Sequence, residues 1–277
     1  MTIFDYLFHH PHLSWIGVLT FFFLTLMRIV PIVALAPFLG AKTAPIVLRM
    51  GLAIVLSFFF LPLIISHSTH ALGFTYAFLG YSLKELGIGL ILAFFITVPF
   101  YMAQTSGIII DYLRGASIMQ SQDPSMQNQT SPIGILYNYI LIVVFFYAKG
   151  PSLFLNALMT SYEIFPVDQW ISPLFFNLNT PFWKMSVDLV NQVVSLAIQL
   201  AAPSLVAILM AEMFLGIANR LAPQVQIAFL GMSIKSFLGL ALLWAAWFFI
   251  LKQFDRHCYS WIDTIDKLLE SCRVFLS

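Results

Sequence analysis

Residues 13–39, LSWIGVLTFFFLTLMRIVPIVALAPFL, decide the fold class of this chain. The polar side chains in this stretch are those of Ser14, Thr20, Thr25 and Arg28. A helix needs about 20 apolar residues to cross the hydrocarbon core of a bilayer, and the stretch exceeds that length. Because lipid offers no hydrogen bonds to the backbone, such a stretch predicts a membrane-spanning helix.

The composition extends this interpretation to the rest of the chain. Of its 277 residues, 60% are hydrophobic and 9% are charged, whereas a soluble domain carries about 25% charged residues. The mean hydropathy of +0.91 also indicates an apolar environment. The formal net charge of +1 argues against a nucleic-acid partner, because proteins that bind nucleic acid are typically strongly basic.

Further apolar runs follow at 45–65, 74–103, 133–148, 185–218 and 224–251. Most of them are long enough to span a bilayer. We therefore expect an all-α, polytopic membrane protein of roughly six to eight helices, with little or no strand. Pro31, Pro99 and Pro203 lie inside these runs and predict kinks, because proline removes a helical hydrogen bond.

Charged residues interrupt several of the runs. They are Arg28 in the first, Lys84 and Glu85 in the third, Glu212 in the fifth and Lys235 in the sixth. A charge at the centre of a bilayer costs about 2.5–3.5 kcal/mol on insertion scales. These side chains must therefore face a partner helix, a partner subunit or water, and the sequence leaves these three alternatives open.

The sequence contains no catalytic motif. Patterns typical of metalloproteases, serine hydrolases and phosphate-binding loops are absent, and the two Cys residues do not have the spacing of metal ligands. All six His residues lie outside the apolar runs. We therefore expect no catalytic residue, no metal and no cofactor.

A polar segment, NRLAPQ, separates the last two apolar runs. Pro223 and its neighbours Arg220 and Gln224 are typical of a tight connection between antiparallel helices. Glu212 lies eleven residues before Pro223, and Lys235 lies twelve residues after it, at about 17 Å from the turn along each helix. This spacing predicts a hairpin with a buried Glu212–Lys235 ion pair. The alternative is that both side chains face a polar channel independently.

Two further segments are less apolar than the runs. The stretch QSQDPSMQNQTSP at 120–132 carries a single charge, Asp123, and its residues alone indicate an exposed linker. Residues 252–277 have apolar side chains at helical spacing and charged ones between them. They predict an amphipathic helix that either lies on the membrane surface or docks on a neighbouring component at the cytoplasmic side.

Several segments occur in an order that is typical of one protein family. They are RIVPIVALAPFLGAKTAPIVLRMGLA at 28–53, KELGIGLILAF at 84–94, SGIIIDYLRGASIMQSQDP at 106–124, SYEIFP at 161–166, AAP at 201–203 and the hairpin around NRLAPQ. Together they resemble the FliR/SctT family of export-apparatus proteins from bacterial type III secretion systems. The MSIKS segment departs from the family, which more often has proline before Ile-Lys. Glu212 and the IKS triplet favour the injectisome branch over the flagellar one.

The resemblance implies a single-copy, multi-pass subunit of the bacterial inner membrane. Its implied partners are P/SctR-type and Q/SctS-type subunits in a helical assembly, U- and V-type export components, membrane lipid and transient unfolded secretion substrates. Residues 1–184 would correspond to a P-type subunit and 185–251 to a Q-type subunit, followed by the tail helix 252–277. The implied function is to help form and plug the portal through which unfolded substrates enter.

The resemblance also implies where the functional residues lie. Residues 111–132 are expected to project into the pore as a plug, with candidate residues Asp111, Arg114, Gly115, Met119, Gln122, Asp123, Pro124 and Met126. The candidate subunit contacts are Arg28, Pro37, Arg49 and Glu85. Two alternatives remain: a secondary transporter, which also has broken helices and buried charges, and a structural subunit that does not form the pore.

Overall fold

The computed structural model describes residues 15–41, 43–68, 73–115, 131–171, 175, 180–221 and 227–272. Within these residues the chain forms eight α-helices and no strand. The prediction of an all-α protein with kinked helices is confirmed.

The helices are numbered in chain order. They are α1 (Trp15–Leu35), α2 (Ile46–His67), α3 (Tyr76–Leu113), α4 (Pro132–Tyr147), α5 (Gly150–Ile164), α6 (Pro181–Leu221), α7 (Ile227–Ala245) and α8 (Trp247–Cys272). A short 3-10 turn, Pro37–Leu39, follows α1 and ends at Gly40 in the left-handed region, with a φ of 84°. Glycine adopts such a φ without the steric cost that other residues meet.

Four helices, α1, α2, α3 and α6, are long and apolar enough to cross a membrane. The pairs α4–α5 and α7–α8 bend by 77° and 61°, and each pair could form one broken span, which gives up to six. Lys149, with a φ of 57°, lies at the bend between α4 and α5. The chain is therefore a multi-pass membrane protein.

The described helices group into two compact units that are both discontinuous in sequence. Unit one contains the chain up to Val98, residues Gly150–Val187 and the chain from Ile262 onwards; unit two contains Pro99–Lys149 and Asp188–Trp261. The boundary within α3 falls at Pro99, which lies inside that helix. The predicted division at 184 and 251 concerns a likeness to two other types of subunit, and it stays a prediction.

Candidate functional site

The side chain of Arg28 is buried at the centre of unit one, with 0% exposure. Its Nε lies 2.5 Å from Oε2 of Glu85, and its Nη2 donates to Oε1 at 3.0 Å. The guanidinium also lies 4.1 Å from the centre of the Tyr162 ring. A two-pronged contact of this kind fixes the orientation of both side chains and joins α1 to α3.

Two cations in unit one bind backbone carbonyls in the last turn of α5 and in the segment that follows it. Arg28 donates to the carbonyl oxygens of Ser161 at 2.9 Å and Phe165 at 2.7 Å. Lys84 Nζ lies 2.8 Å from Glu85 Oε1 and donates to three more carbonyl oxygens, those of Pro166 (2.7 Å), Val167 (3.1 Å) and Gln169 (2.9 Å). Of these five carbonyls, that of Ser161 lies in the last turn of α5, where carbonyl groups carry partial negative charge and favour cations. The other four lie in the segment that follows the helix. We call Arg28, Lys84, Glu85 and these five carbonyls the Arg28 cluster.

The Arg28 cluster corrects the prediction that Arg28 and Glu85 contact another subunit. Both side chains are fully buried and bonded within this chain, so neither reaches an outer surface. Of the three alternatives that the sequence left open for these charges, a partner helix of the same chain is the one observed. Pro37 and Arg49 are half-buried, and Arg49 Nη1 donates to the carbonyl of Ala34 at 3.4 Å. A subunit contact stays a prediction for these two residues.

Asp111 joins the end of α3 to the beginning of α4 in unit two. Its Oδ2 accepts hydrogen bonds from the Ser131 hydroxyl at 2.5 Å and from the backbone N–H of Ile133 at 2.9 Å. Ser131 in turn accepts from the backbone N–H of Gly134 at 2.9 Å. Arg114 Nε lies 2.7 Å from Asp111 Oδ1. The first N–H groups of α4 are thus capped by a hydroxyl and a carboxylate, an arrangement that we call the Asp111 clasp.

Gly107 on α3 and Gly134 on α4 let these two helices approach closely. A Cβ atom on Gly107 would overlap the backbone of Gly134, so α3 and α4 cross with their main chains in contact. Gly115, with a φ of 84°, follows the end of α3. The clasp therefore fixes the places where the chain leaves α3 and enters α4.

The clasp also bears on the predicted plug. Asp111 is buried and Arg114 is bonded to it, so these two side chains belong to the anchor of the segment and do not project into a pore. This corrects the prediction for these two residues. The remaining plug candidates, Met119, Gln122, Asp123, Pro124 and Met126, lie outside the described residues.

The predicted partners in the hairpin come together in unit two. Lys235 Nζ lies 2.5 Å from Glu212 Oε1. The pair is not buried within this chain, because the two side chains are 23% and 42% exposed, and the prediction of a buried pair is corrected. Arg220 is exposed in the last turn of α6. Pro223 and Gln224 lie outside the described residues.

Contacts beside this pair define the register of α6 and α7. The positions of Gly239 and Gly231 on α7 adjoin the side chains of Ile208 and Leu215 on α6. The residue numbers in these contacts and in the Glu212–Lys235 pair add to nearly the same value, so the two helices run antiparallel.

The tail helix differs from its prediction. It begins at Trp247, and its apolar residues Phe254, Cys258, Trp261 and Leu268 are buried against this chain. In unit two the Phe254 ring lies 5.5 Å from that of Tyr137. These four side chains are therefore taken up inside the protein. A place of the tail on the membrane surface or docked on a neighbouring component stays a prediction.

Sequence reasoning missed several contributors to these sites. The Ser131–Pro132 pair before an apolar run is a helix-start signal and would have pointed to the capping role of Ser131. No sequence signal marks the backbone carbonyls that Lys84 binds. Among the described residues, no group of three or more His, Cys, Asp or Glu side chains is arranged to hold a metal ion.

A family model described as bacterial export proteins, family 1, matches residues 19–260. The chain belongs to this family. It is 34% identical to Yop proteins translocation protein T of Yersinia pestis over 168 residues, which cover 58% of this chain and 60% of the relative. Secretion system apparatus protein SsaT of Salmonella typhimurium is 31% identical over 197 residues, covering 71% and 74%. Flagellar biosynthetic protein FliR of Escherichia coli is 24% identical over 248 residues, covering 89% and 91%.

These comparisons confirm the resemblance drawn from the sequence. The chain spans about 60% of the length of the Yersinia relative in the match. Identity to the Yersinia and Salmonella proteins is higher than to the flagellar protein, as the predicted injectisome branch requires.

Proposed function

We propose that this chain is a structural subunit of the inner-membrane export portal of a type III secretion system. In this role it helps to form the passage for unfolded proteins, and the segment between Arg114 and Ser131 closes that passage. Its partners are P/SctR-type and Q/SctS-type subunits, with U- and V-type components nearby. The observation that carries the proposal is the Asp111 clasp, in a chain that belongs to a family of bacterial export proteins.

The clasp gives the plug segment a single anchored base. Asp111 on α3 is bonded to Ser131 and Ile133 at the start of α4, so both ends of the intervening segment are tied at one place. A passing chain could displace a segment held in this way without pulling α3 and α4 apart. Asp111 and Ser131 thus have a structural role, and the polar residues between them provide the closure.

Exposed apolar side chains support a place within a larger assembly. Phe214 on α6 and Phe237 and Trp244 on α7 are each at least 70% exposed. Surfaces of this kind require lipid or the apolar surface of another subunit. Co-purification with P- and Q-type subunits is therefore expected.

The secondary-transporter alternative is less well supported. It would use buried charges as ligands for an ion or a substrate. Arg28 and Lys84 are instead each bonded to Glu85 and to backbone carbonyls just after α5. These three residues act as a fixed internal joint, which leaves them unsuited to binding a transported ion in turn.

Membrane conductance tests the proposed closure. Residues 116–130 are replaced by a short Gly-Ser linker that keeps Gly115 and Ser131, and the variant is expressed together with the P- and Q-type partners. We expect increased leakage of small ions with normal assembly, because the clasp is retained. The matched control replaces the same residues with a Gly-Ser stretch of equal length. It distinguishes the effect of the length of the segment from the effect of its side chains.

Two results would contradict the proposal. Wild-type conductance from a normally assembled short-linker complex would make the segment an ordinary linker. Full secretion in a strain that lacks this chain would remove the chain from the portal altogether.

A further inference from the structure

The side chain of Arg114 is held from two sides in unit two. Its Nε lies 2.7 Å from Oδ1 of Asp111, and its aliphatic stem faces Gly239 on α7. A Cβ atom placed on Gly239 would lie 3.7 Å from Cβ of Arg114, 3.8 Å from its Cδ and 3.5 Å from Cδ1 of Ile208 on α6. Arg114 therefore lies between the Asp111 clasp and the antiparallel helices α6 and α7. We call Gly239 and Ile208 the Arg114 seat.

The Arg114 seat is enclosed within unit two. Ile208 is 0% exposed, Gly239 is buried, and the side chain of Arg114 is 11% exposed. The distances of 3.5–3.8 Å are those of ordinary van der Waals contact. A methyl group would therefore fill the space at Gly239, and a larger side chain would displace Arg114 or Ile208.

The backbone at Arg114 is fixed by the end of α3. The N–H of Arg114 donates to the carbonyl of Ile110 at 3.1 Å, and the N–H of Gly115 donates to that of Tyr112 at 3.2 Å. Gly115 has a φ of 84°, as is common for a glycine that ends a helix. With the main chain held in this way, the place of the guanidinium depends on what packs against the stem of Arg114.

The Arg114 seat lies one helical turn from the exposed ion pair. Gly239 follows Lys235 by four residues on α7, and Ile208 precedes Glu212 by four residues on α6. Residues four apart lie on the same side of a helix, about 6 Å from each other along its axis. A subunit that binds Glu212 or Lys235 would therefore contact the two rows of side chains that end at Arg114.

We propose that α6 and α7 control the closing segment by positioning Arg114 against Asp111. When α7 moves away from Arg114, the buried carboxylate of Asp111 loses its cation, which is costly. Water then enters and competes for the hydrogen bonds from Ser131 and from the N–H of Ile133, so the base of the segment loosens. That the segment closes a passage rests on the proposed function, whereas the contact between Arg114 and Gly239 does not.

A disulfide between positions 114 and 239 tests this contact in membranes that contain the assembled apparatus. Arg114→Cys and Gly239→Cys are combined in the full chain, because a Cβ–Cβ distance of 3.7 Å lies within the range of about 3.5–4.5 Å that a disulfide requires. The control combines Arg114→Cys with Gly216→Cys, since a Cβ on Gly216 would meet nothing within 4 Å. After mild oxidation we expect mass spectrometry to find the first disulfide and not the second. Absence of the first would overturn the proposal.

The same disulfide tests whether α7 has to move. While positions 114 and 239 are joined, α7 cannot leave the base of the segment. We therefore expect secretion to fall several-fold in the oxidised strain and to recover when the disulfide is reduced. Unchanged secretion at full disulfide formation would mean that α7 does not control the segment.

Membrane conductance tests the opposite change, a seat that is too full. Gly239→Val places a branched side chain next to Arg114 and Ile208, and the full chain is expressed together with the P- and Q-type subunits. We expect leakage of small ions to rise several-fold at normal assembly. Gly216→Val, the matched control on α6, should leave the leakage unchanged. An equal rise from Gly216→Val, or wild-type leakage from an assembled Gly239→Val complex, would overturn the proposal.

These results also separate this inference from the proposed function. If replacement of residues 116–130 by the short linker causes leakage while Gly239→Val does not and the disulfide leaves secretion unchanged, the control by α7 is wrong and the proposed function stands. If the disulfide forms but secretion is normal in a strain that lacks the chain, the contact between Arg114 and Gly239 stands and the export function is wrong.

Discussion

The Arg28 cluster and the Glu212–Lys235 pair use the same chemistry in opposite surroundings. In each, a cation and a carboxylate approach to 2.5 Å. Arg28 and Glu85 are 0% exposed, whereas Lys235 and Glu212 are 23% and 42% exposed. A buried pair strongly destabilises a protein when one partner is removed, while an exposed pair contributes little. The N···O distance alone therefore does not show which ion pair stabilises the fold.

The two sites also differ in how completely their charges are bonded. The cations of the Arg28 cluster reach five backbone carbonyls, one in the last turn of α5 and four in the segment that follows it. Among the residues that the structure describes, Lys235 makes one hydrogen bond, to Glu212, and both side chains are partly exposed. The cluster is an internal joint, and the exposed pair remains available to a neighbouring subunit.

Replacing the Glu of each site by Gln gives the largest expected difference in the free energy of unfolding. Glu85→Gln leaves two buried cations without a carboxylate, and we expect the free energy of unfolding in detergent to fall by about 3–5 kcal/mol. Glu212→Gln, at the exposed pair, should lower it by about 1 kcal/mol or less. Denaturant titration of both variants measures the difference, and equal losses would show that burial does not distinguish the sites.

Substitutions of Gly87 and Gly89, two residues apart on α3, test the packing around the Arg28 cluster. A Cβ on Gly89 would overlap the carbonyl oxygen of Arg28, whereas one on Gly87 would meet nothing within 4 Å. Gly89→Ala should therefore separate α1 from α3 and cost about 1–3 kcal/mol. Gly87→Ala should be neutral or stabilising, because alanine favours helix. Thermal denaturation of the two variants checks this, and a stable Gly89→Ala protein would mean that the helices can move apart freely.

Charge exchange at the exposed pair should have the smallest effect on stability. Glu212→Lys and Lys235→Glu each place like charges together, with a cost of about 0.2–1 kcal/mol. Because part of each side chain faces outwards, we expect the single exchanges to impair assembly or secretion more than stability. The double exchange should restore secretion in part. A double variant as inactive as the singles, at matched protein levels, would mean that each residue meets a different partner.

The bounds of the apolar runs predicted the bounds of the helices well where the chain is uniformly apolar. The runs at 45–65 and 133–148 lie within two residues of α2 and α4. The run at 74–103 predicted only part of α3, which continues to Leu113. Polar residues such as Ser106 and Asp111 end the apolar pattern there, but they are buried and bonded inside unit two. Hydrophobicity could not reveal that these polar groups have partners.

The same limit applies to α5 and to the sites. Asn156, Thr160 and Ser161 make α5 less apolar than a typical span, so no apolar run indicated it. The carbonyls that complete the Arg28 cluster come from its last turn and from the segment after it. The symmetric spacing around Pro223 did indicate the Glu212–Lys235 contact, because helix rise converts residue number into distance. Exposure of that pair depends on what covers it, which a local pattern does not encode. The bend between α7 and α8 falls at Ala246, and an alanine gives no sequence signal for a bend of the kind that proline or glycine would give.

The discontinuity of unit one has a consequence for biosynthesis. A ribosome delivers the chain from its N-terminus, so α1 and α2 enter the membrane long before Ile265 and Leu268. Those two residues line an apolar cavity in unit one together with Ile88 and Phe154. Unit one can therefore be completed only after Leu268 has been synthesised, and until then its apolar interior needs lipid, a chaperone or another nascent subunit to cover it. A truncated product that stops before Ile262 would be expected to stay in that unfinished state and to be removed by membrane proteases.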